Sequence, residues 1–297
     1  MKQRIITGAI MTLFVAPLIV FGGYFMFAFI VLLLGIGIYE FLHIKKKSGK
    51  EGIPFYVYII CFIFAYMIVF SIPLNGFDSF DYKMATLTGS WNLSPIIFML
   101  FLFFTTSIPV FDKDVSPLDS FYAFGTTIYL SFGLKGLLYL RSFSGNGAEN
   151  TNLGLMLVAF LLIVTCFTDI FAYFGGMLCY KLLGENRVHK LNVRISPKKT
   201  IEGTIIGTLF GTICGMLFGF LVVNRFGFTF EWYMYLLFSF VLSLAGQMGD
   251  LMLSAIKRLF NVKDYSNLLP GHGGALDRID SLLATSILMS VLLFLFL

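Results

Sequence analysis

Between Gln247 and Asp280 the chain reads QMGDLMLSAIKRLFNVKDYSNLLPGHGGALDRID, a dense set of acids, bases and hydroxyls in a sequence with only 12% charged residues. Ser243, Gln247, Asp250, Ser254 and Lys257 fall at offsets 0, 4, 7, 11 and 14, which is one face of one helix. The first part of this stretch continues a hydrophobic run from near Phe230, so Asp250 lies within or at the rim of a membrane segment. A carboxylate at that depth costs roughly 2.5–3.5 kcal/mol on insertion scales and marks a functional position unless it is satisfied by packing. A polar seam inside a helix bundle is the plainer alternative, but it does not explain why the charges continue past the membrane exit.

Beyond that helix, Pro270, Gly271, Gly273 and Gly274 form a loop poor in side chains, whose backbone N–H groups can approach an anion closely. Asp277 and Asp280 follow; with Asp280 as cap of the last helix, both carboxylates would sit at its cytosolic mouth with Arg278 between them. Hard oxygen ligands beside Lys and Arg point to magnesium, or another divalent cation, holding phosphate. The chain has no GxxxxGK[ST] and no His-Glu-x-x-His, which argues against P-loop hydrolysis and zinc proteolysis.

The run SAIKRLFNVKDYSNLLPGHGGALDRID, Ser254 to Asp280, resembles the signature of the phosphatidate cytidylyltransferase (CDP-diacylglycerol synthase) family: Ser-x-x-Lys-Arg, Lys-Asp, then His-Gly-Gly-x-x-Asp-Arg-x-Asp, with no departure. Thr168 to Gly176 and SPKKTIEG at Ser196 to Gly203 are also similar to the family, whereas the first ~150 residues match mainly as hydrophobic spans of suitable length. The resemblance implies transfer of a cytidylyl group from CTP to phosphatidate in phospholipid biosynthesis, giving CDP-diacylglycerol and pyrophosphate, and it implies a homodimer. It makes Asp250 and Asp277 metal ligands, Asp280 a candidate third and Asp169 a completing or supporting acid. Lys257, Arg258, Lys263 and Arg278 become candidates for the triphosphate or the lipid phosphate, and Lys198 and Lys199 for either. Ser254, Asp264, His272, Gly273 and Gly274 join them as substrate-binding candidates. A phosphate nucleophile is already ionised at pH 7, so binding or loop shaping suits His272 better than proton transfer.

Hydrophobic residues make up 58% of the 297 positions, and mean hydropathy is +0.88. These values describe an integral membrane protein. The expected fold is all-α and polytopic, about nine transmembrane helices in a single membrane domain, with N-terminal spans over 1–150 and a catalytic half over 151–297. The expected spans are an uncleaved first helix to Phe21, then 24–42, 55–72, 93–110, 121–140, 153–174, one from Gly203, 230–253 and 281–297. With the N-terminus cytosolic, two N-terminal basic residues, four at 45–50, Lys113, six at 181–199 and four at 257–278 fall inside. That gives 17 inside against Lys83, Arg141 and Arg225 outside, with Lys135 in a span and the C-terminus outside. The site then faces the cytosol from the cell (cytoplasmic) membrane, and the +5 net charge reflects topology rather than nucleic acid.

Lesser features carry expectations of their own. Glu40 and His43 should snorkel or pair with the adjoining lysines, and Lys135 should snorkel outward. The polar connection from Lys181 to Lys199, with Glu185 its acid, contains Ser196-Pro197, which resembles a helix start poised for phosphate. Gly203, Gly207, Gly211, Gly215 and Gly219 recur at every fourth residue, a packing stripe; the role of Glu202 at its entrance stays open. Cys61, Cys166 and Cys214 lie in spans and Cys179 just past one, all as small packing residues. An ion-coupled transporter using Asp169 and Asp250 is the rival reading. The glycine stripe has no inverted counterpart in the first half, and the basic set exceeds what a cation path needs. A structural assembly protein would leave the acids unexplained.

Overall fold

A backbone that crosses hydrocarbon must satisfy its N–H and C=O groups within its own segment, and long apolar runs therefore fold as helices. A computed structural model of the chain describes residues 2–70, 93–143, 152–184, 187–192, 194–227 and 230–296. Lys83 and Glu185 lie outside the described residues. Among them are nine α-helices, one at each expected span: α1 (Lys2–Phe21), α2 (Gly23–Lys47), α3 (Phe55–Phe70), α4 (Leu93–Phe111), α5 (Pro117–Ser142), α6 (Asn152–Leu183), α7 (Ile201–Leu221), α8 (Trp232–Leu259) and α9 (Leu276–Phe296). Five of these, α2 and α6 to α9, are long and apolar enough to cross a membrane. The polar connection before α7 holds the only described strands, an antiparallel hairpin of β1 (Lys190–Asn192) and β2 (Ser196–Thr200).

The chain forms two compact units, the first comprising Met1–Ser142 with Leu259–Ile279. Its core joins α2, α3 and α5 through Leu34, Phe41, Cys61, Ala65, Leu130 and Leu134, all buried. Phe64 stacks on Phe101 at 5.0 Å and ties α3 to α4. Arg141 closes the α1–α2 turn, its guanidinium donating to the carbonyls of Ile19 at 2.6 Å and Val20 at 2.9 Å. These are last-turn carbonyls of α1, which lack helical partners and face the negative end of the dipole. Lys135 answers the same need and does not snorkel: it is 8% exposed, and its ammonium donates to Ile68 O in the last turn of α3 at 3.0 Å.

The second unit comprises Phe143–Arg258 and Asp280–Leu297. Helix α6 runs 32 residues to Leu183, two turns and more beyond the expected end at Phe174, so Cys179 lies inside it. The helix start expected at Ser196-Pro197 is instead strand β2; α7 begins at Ile201, where the Thr200 side chain accepts from Gly203 N at 3.1 Å. Thr200 supplies the cap oxygen that the first turn requires, so the chain stays extended up to it. The glycine stripe behaves as expected. A Cβ at Gly203 or Gly207 would lie 2.6 Å from the carbonyl of Ala172 or Thr168 on α6, and one at Gly211 would collide with Thr168 Oγ1. Further along, Gly215 meets Val164 of α6 and Ser239 of α8, and Gly219 meets Tyr235 of α8.

Gly211→Leu should therefore destabilise the α6–α7 pairing, since overpacking alone costs about 1–3 kcal/mol and backbone contact leaves little room to relax. Thermal melting in detergent should fall by several degrees relative to Ile205→Leu on the exposed face of α7; equal melting points would refute this packing role.

Candidate active site

The signature residues fall into two groups, one in each unit. In the first unit, the segment Leu259–Ile279 follows α8 and leads into α9. Gly271 and Gly273 take φ of 77° and 84°, the left-handed region that favours glycine, so the chain can fold back on itself. Leu269 and Gly273 exchange backbone bonds of 2.9 and 3.1 Å, and His272 N donates to Leu269 O at 2.9 Å. Gly274 N donates to Asp277 Oδ2 at 2.9 Å. The N–H groups of His272, Gly273 and Gly274 thus hold the loop together, and the expected backbone cradle for an anion does not form from them.

What this loop presents is a cavity of about 580 Å³ lined by Lys263, Asp264, Asn267, Arg278 and the turn from Leu269 to Gly273 with His272. That volume suits a small polar ligand, and the two cations beside it suit phosphate. Lys47, from the end of α2, donates to Asp264 O at 2.7 Å and fixes one wall. Asp277 is 9% exposed, and its Oδ2 accepts from both Tyr265 N at 3.0 Å and Gly274 N.

In the second unit Asp250 on α8 pairs with Lys199 of β2 at 2.5 Å. Ser254 Oγ, one turn along, donates to Asp250 Oδ1 at 3.1 Å. Asp169 on α6 and Asp280 on α9 interact electrostatically with Asp250 and with each other, and Lys199 and Lys257 supply the opposing charge. Successive residues of a strand face opposite ways, so Lys199 turns to Asp250 while Lys198 is exposed. The hairpin is held at both ends. Arg258 Nε donates to Ile195 O at 3.2 Å, and Glu202 Oε1 accepts from His189 N at 3.0 Å and pairs with its ring Nδ1 at 2.9 Å. Glu202, left open by the sequence, is therefore a brace for the hairpin.

Farther from the acids, the polar face of α8 is packing. Ser243 and Thr168 share a 2.8 Å hydroxyl bond, and Gln247 donates to Thr208 at 2.8 Å. The face thus divides into a satisfied seam at Ser243 and Gln247 and a charged end at Asp250, Ser254 and Lys257. The donor set of that end, carboxylate oxygens with acids outnumbering the two lysines, fits a hard divalent cation. Among the described residues, no three His, Cys, Asp or Glu side chains are gathered as a complete coordination group.

Two sequence expectations change at the start of α9. The helix begins at Leu276, so Asp280 stands in its second turn and does not cap it. The cap comes from Glu40 of α2, which neither snorkels nor pairs with the lysines: it is 1% exposed, and its carboxylate accepts from Ala275 N at 2.9 Å and Leu276 N at 2.8 Å. Its signal in the sequence is an ionisable residue within an apolar run, a feature Glu40 shares with Asp169 and Asp250. His43, one turn further, stacks on Tyr39 at 4.8 Å.

Comparison with known proteins places this arrangement. The Cytidylyltransferase family model matches residues 2–296. The chain is similar to the phosphatidate cytidylyltransferase of Staphylococcus haemolyticus (strain JCSC1435), 31% identical over 300 residues and 99% of both chains. That of Staphylococcus aureus (strain COL) is 30% identical over 299 residues, again 99% of both chains. With the match running nearly end to end, the chain belongs to the cytidylyltransferase family.

Proposed function

We propose that this protein transfers the cytidylyl group of CTP to phosphatidate, forming CDP-diacylglycerol and pyrophosphate. The observation that carries the reading is the match to phosphatidate cytidylyltransferases over 99% of the chain, joined to an unbroken signature from Ser254 to Asp280. A phosphate oxygen of the lipid bonds to the α-phosphorus of CTP while the bond from that phosphorus to the bridging oxygen of the leaving pyrophosphate breaks. Both reactants are anions, so alignment and charge neutralisation dominate the barrier.

In this reading Lys263 and Arg278, with His272 and Asp264, receive a phosphate-bearing substrate at the cavity of the first unit. Lys257, Arg258, Lys198 and Lys199 counter phosphate charge in the second. In the second unit a divalent cation, magnesium by its preference for carboxylate oxygens, would be held by Asp250, with Asp280 and Asp169 as further ligands or support; Asp277 is the ligand candidate of the first unit. When bound it would polarise the phosphoryl oxygens and offset their charge. Ser254 fixes the Asp250 carboxylate, and Gly273 and Gly274 keep the loop narrow beside the substrate. Placement in a membrane lets diacylglycerol tails stay in lipid while the headgroup meets CTP at the interface. Nine crossings, a cytosolic N-terminus and site, an external C-terminus, the cell membrane as location and a homodimer belong to the same proposal. Their support is the basic-residue asymmetry and the family resemblance. No observation favours the transporter reading.

Purified protein in detergent, given CTP, phosphatidate and magnesium, should release pyrophosphate and form CDP-linked lipid in equal amounts, and a chelator should stop both together. Pyrophosphate without lipid-linked cytidine would make water the acceptor and refute the proposal. Asp250→Asn, which keeps shape but removes charge, should lower turnover by about a hundredfold or more with the protein still folded; near-normal turnover would remove Asp250 from the site. For topology, Lys190→Cys should react with an impermeant thiol reagent only once the cytosolic side is opened, and labelling of intact cells would reverse the orientation.

A further inference from the structure

Among the described residues of the first unit Glu40 is the most deeply buried acid, and the proposed reaction assigns it no part. Its Oε1 accepts from Ser266 Oγ at 2.5 Å and Ala275 N at 2.9 Å, and its Oε2 accepts from Leu276 N at 2.8 Å. These donors flank the turn at 269–273 within the segment, Lys263 to Arg278, that lines the cavity. Gly274 sits flush against the carboxylate, where a Cβ would come within 2.6 and 2.7 Å of its two oxygens. The helix around the acid is itself anchored. Its neighbour Phe41 packs edge-on against Tyr265 at 5.4 Å, and Phe41 O accepts from Tyr122 of α5 at 2.8 Å. Asp277 takes the next two N–H groups, those of Tyr265 and Gly274. Glu40 thus joins both flanks of the glycine turn to the helix bundle through one charge, placed where the α9 dipole favours an anion.

We propose that Glu40 is a positioning residue for the reaction, holding the loop in the fold that presents Lys263, His272 and Arg278 to the substrate phosphate. The inference rests on the reading of the cavity as a substrate site. Glu40→Gln keeps size but puts an amide N–H against backbone donors, so one of the three bonds must be lost and the charge is gone. Hydrogen bonds to a charged group are the stronger ones, so kcat/KM should fall ~10- to 100-fold. Amide exchange across 263–278 should quicken while that of α3 stays unchanged, a split that general destabilisation would not produce.

Gly274→Ala should also impair the enzyme, because its Cβ strikes Glu40, and should add little in a Glu40→Ala background, where the oxygens are gone. Ser266→Ala, which removes only the hydroxyl donor, provides a milder variant if Glu40→Gln does not fold, and it should raise KM severalfold for the substrate the cavity receives, CTP or phosphatidate. Unchanged kinetics in Glu40→Gln, or in Ser266→Ala where that variant must stand in, would overturn the proposal, as would a Gly274→Ala defect undiminished in Glu40→Ala. Wild-type protein forming no cytidylylated lipid would instead sink the functional reading itself, a result distinguishable from active wild type with indifferent variants.

Discussion

A carboxylate placed in an apolar helix has to be met by positive charge, and the 2.5 Å contact between Lys199 and Asp250 meets that demand in the second unit. Much of the unit can be understood as what this contact requires. Lys199 needs an extended strand to reach α8, and the strand needs braces, supplied by Arg258 on Ile195 and by the His189–Glu202 pair. Thr200 ends the strand and starts α7 in one residue. The glycine stripe then lets α7 lie against α6 with backbones in contact, on the helix that carries Asp169. Three acids against two lysines leave the group short of positive charge, the condition a divalent cation would relieve.

The first unit answers a different demand, that of a glycine-bearing loop whose own backbone offers little to hold it. Buried carboxylates do the holding: Glu40 takes the N–H groups of Ala275 and Leu276, and Asp277 takes those of Tyr265 and Gly274. Each of these donors would otherwise be a buried polar group without a partner, at a cost of about 1–3 kcal/mol. The loop's cations are thereby left to face the cavity. In both units charge organises backbone.

The helices were legible in the sequence because apolar runs of this length have few alternatives in a membrane, and the spacing of Gly203 to Gly219 fixed one packing face in advance. The charged end of α8 was legible too, since Asp250, Ser254 and Lys257 share a face at helical spacing. Contacts between distant segments were not. Lys135 reads as a snorkelling residue until α3 ends beside it, and Glu40 reads as one more acid near a lysine cluster until Ala275 arrives 235 positions later. Ser196-Pro197 carries the composition of a helix start, and only the hydroxyl of Thr200 shows where α7 begins. The glycine loop promised free N–H groups because a sequence does not display the hydrogen bonds a turn makes to itself.

The central claim is that the bond broken lies at the α-phosphorus of CTP and that the lipid is the acceptor. Parallel reactions with CTP labelled at the α-phosphate or the γ-phosphate test it directly, followed by separation of lipid from water. The account predicts α-label in the lipid phase and γ-label wholly in aqueous pyrophosphate. Label from the γ-position in lipid would mean phosphoryl transfer, and α-label confined to water would mean hydrolysis; either would contradict it.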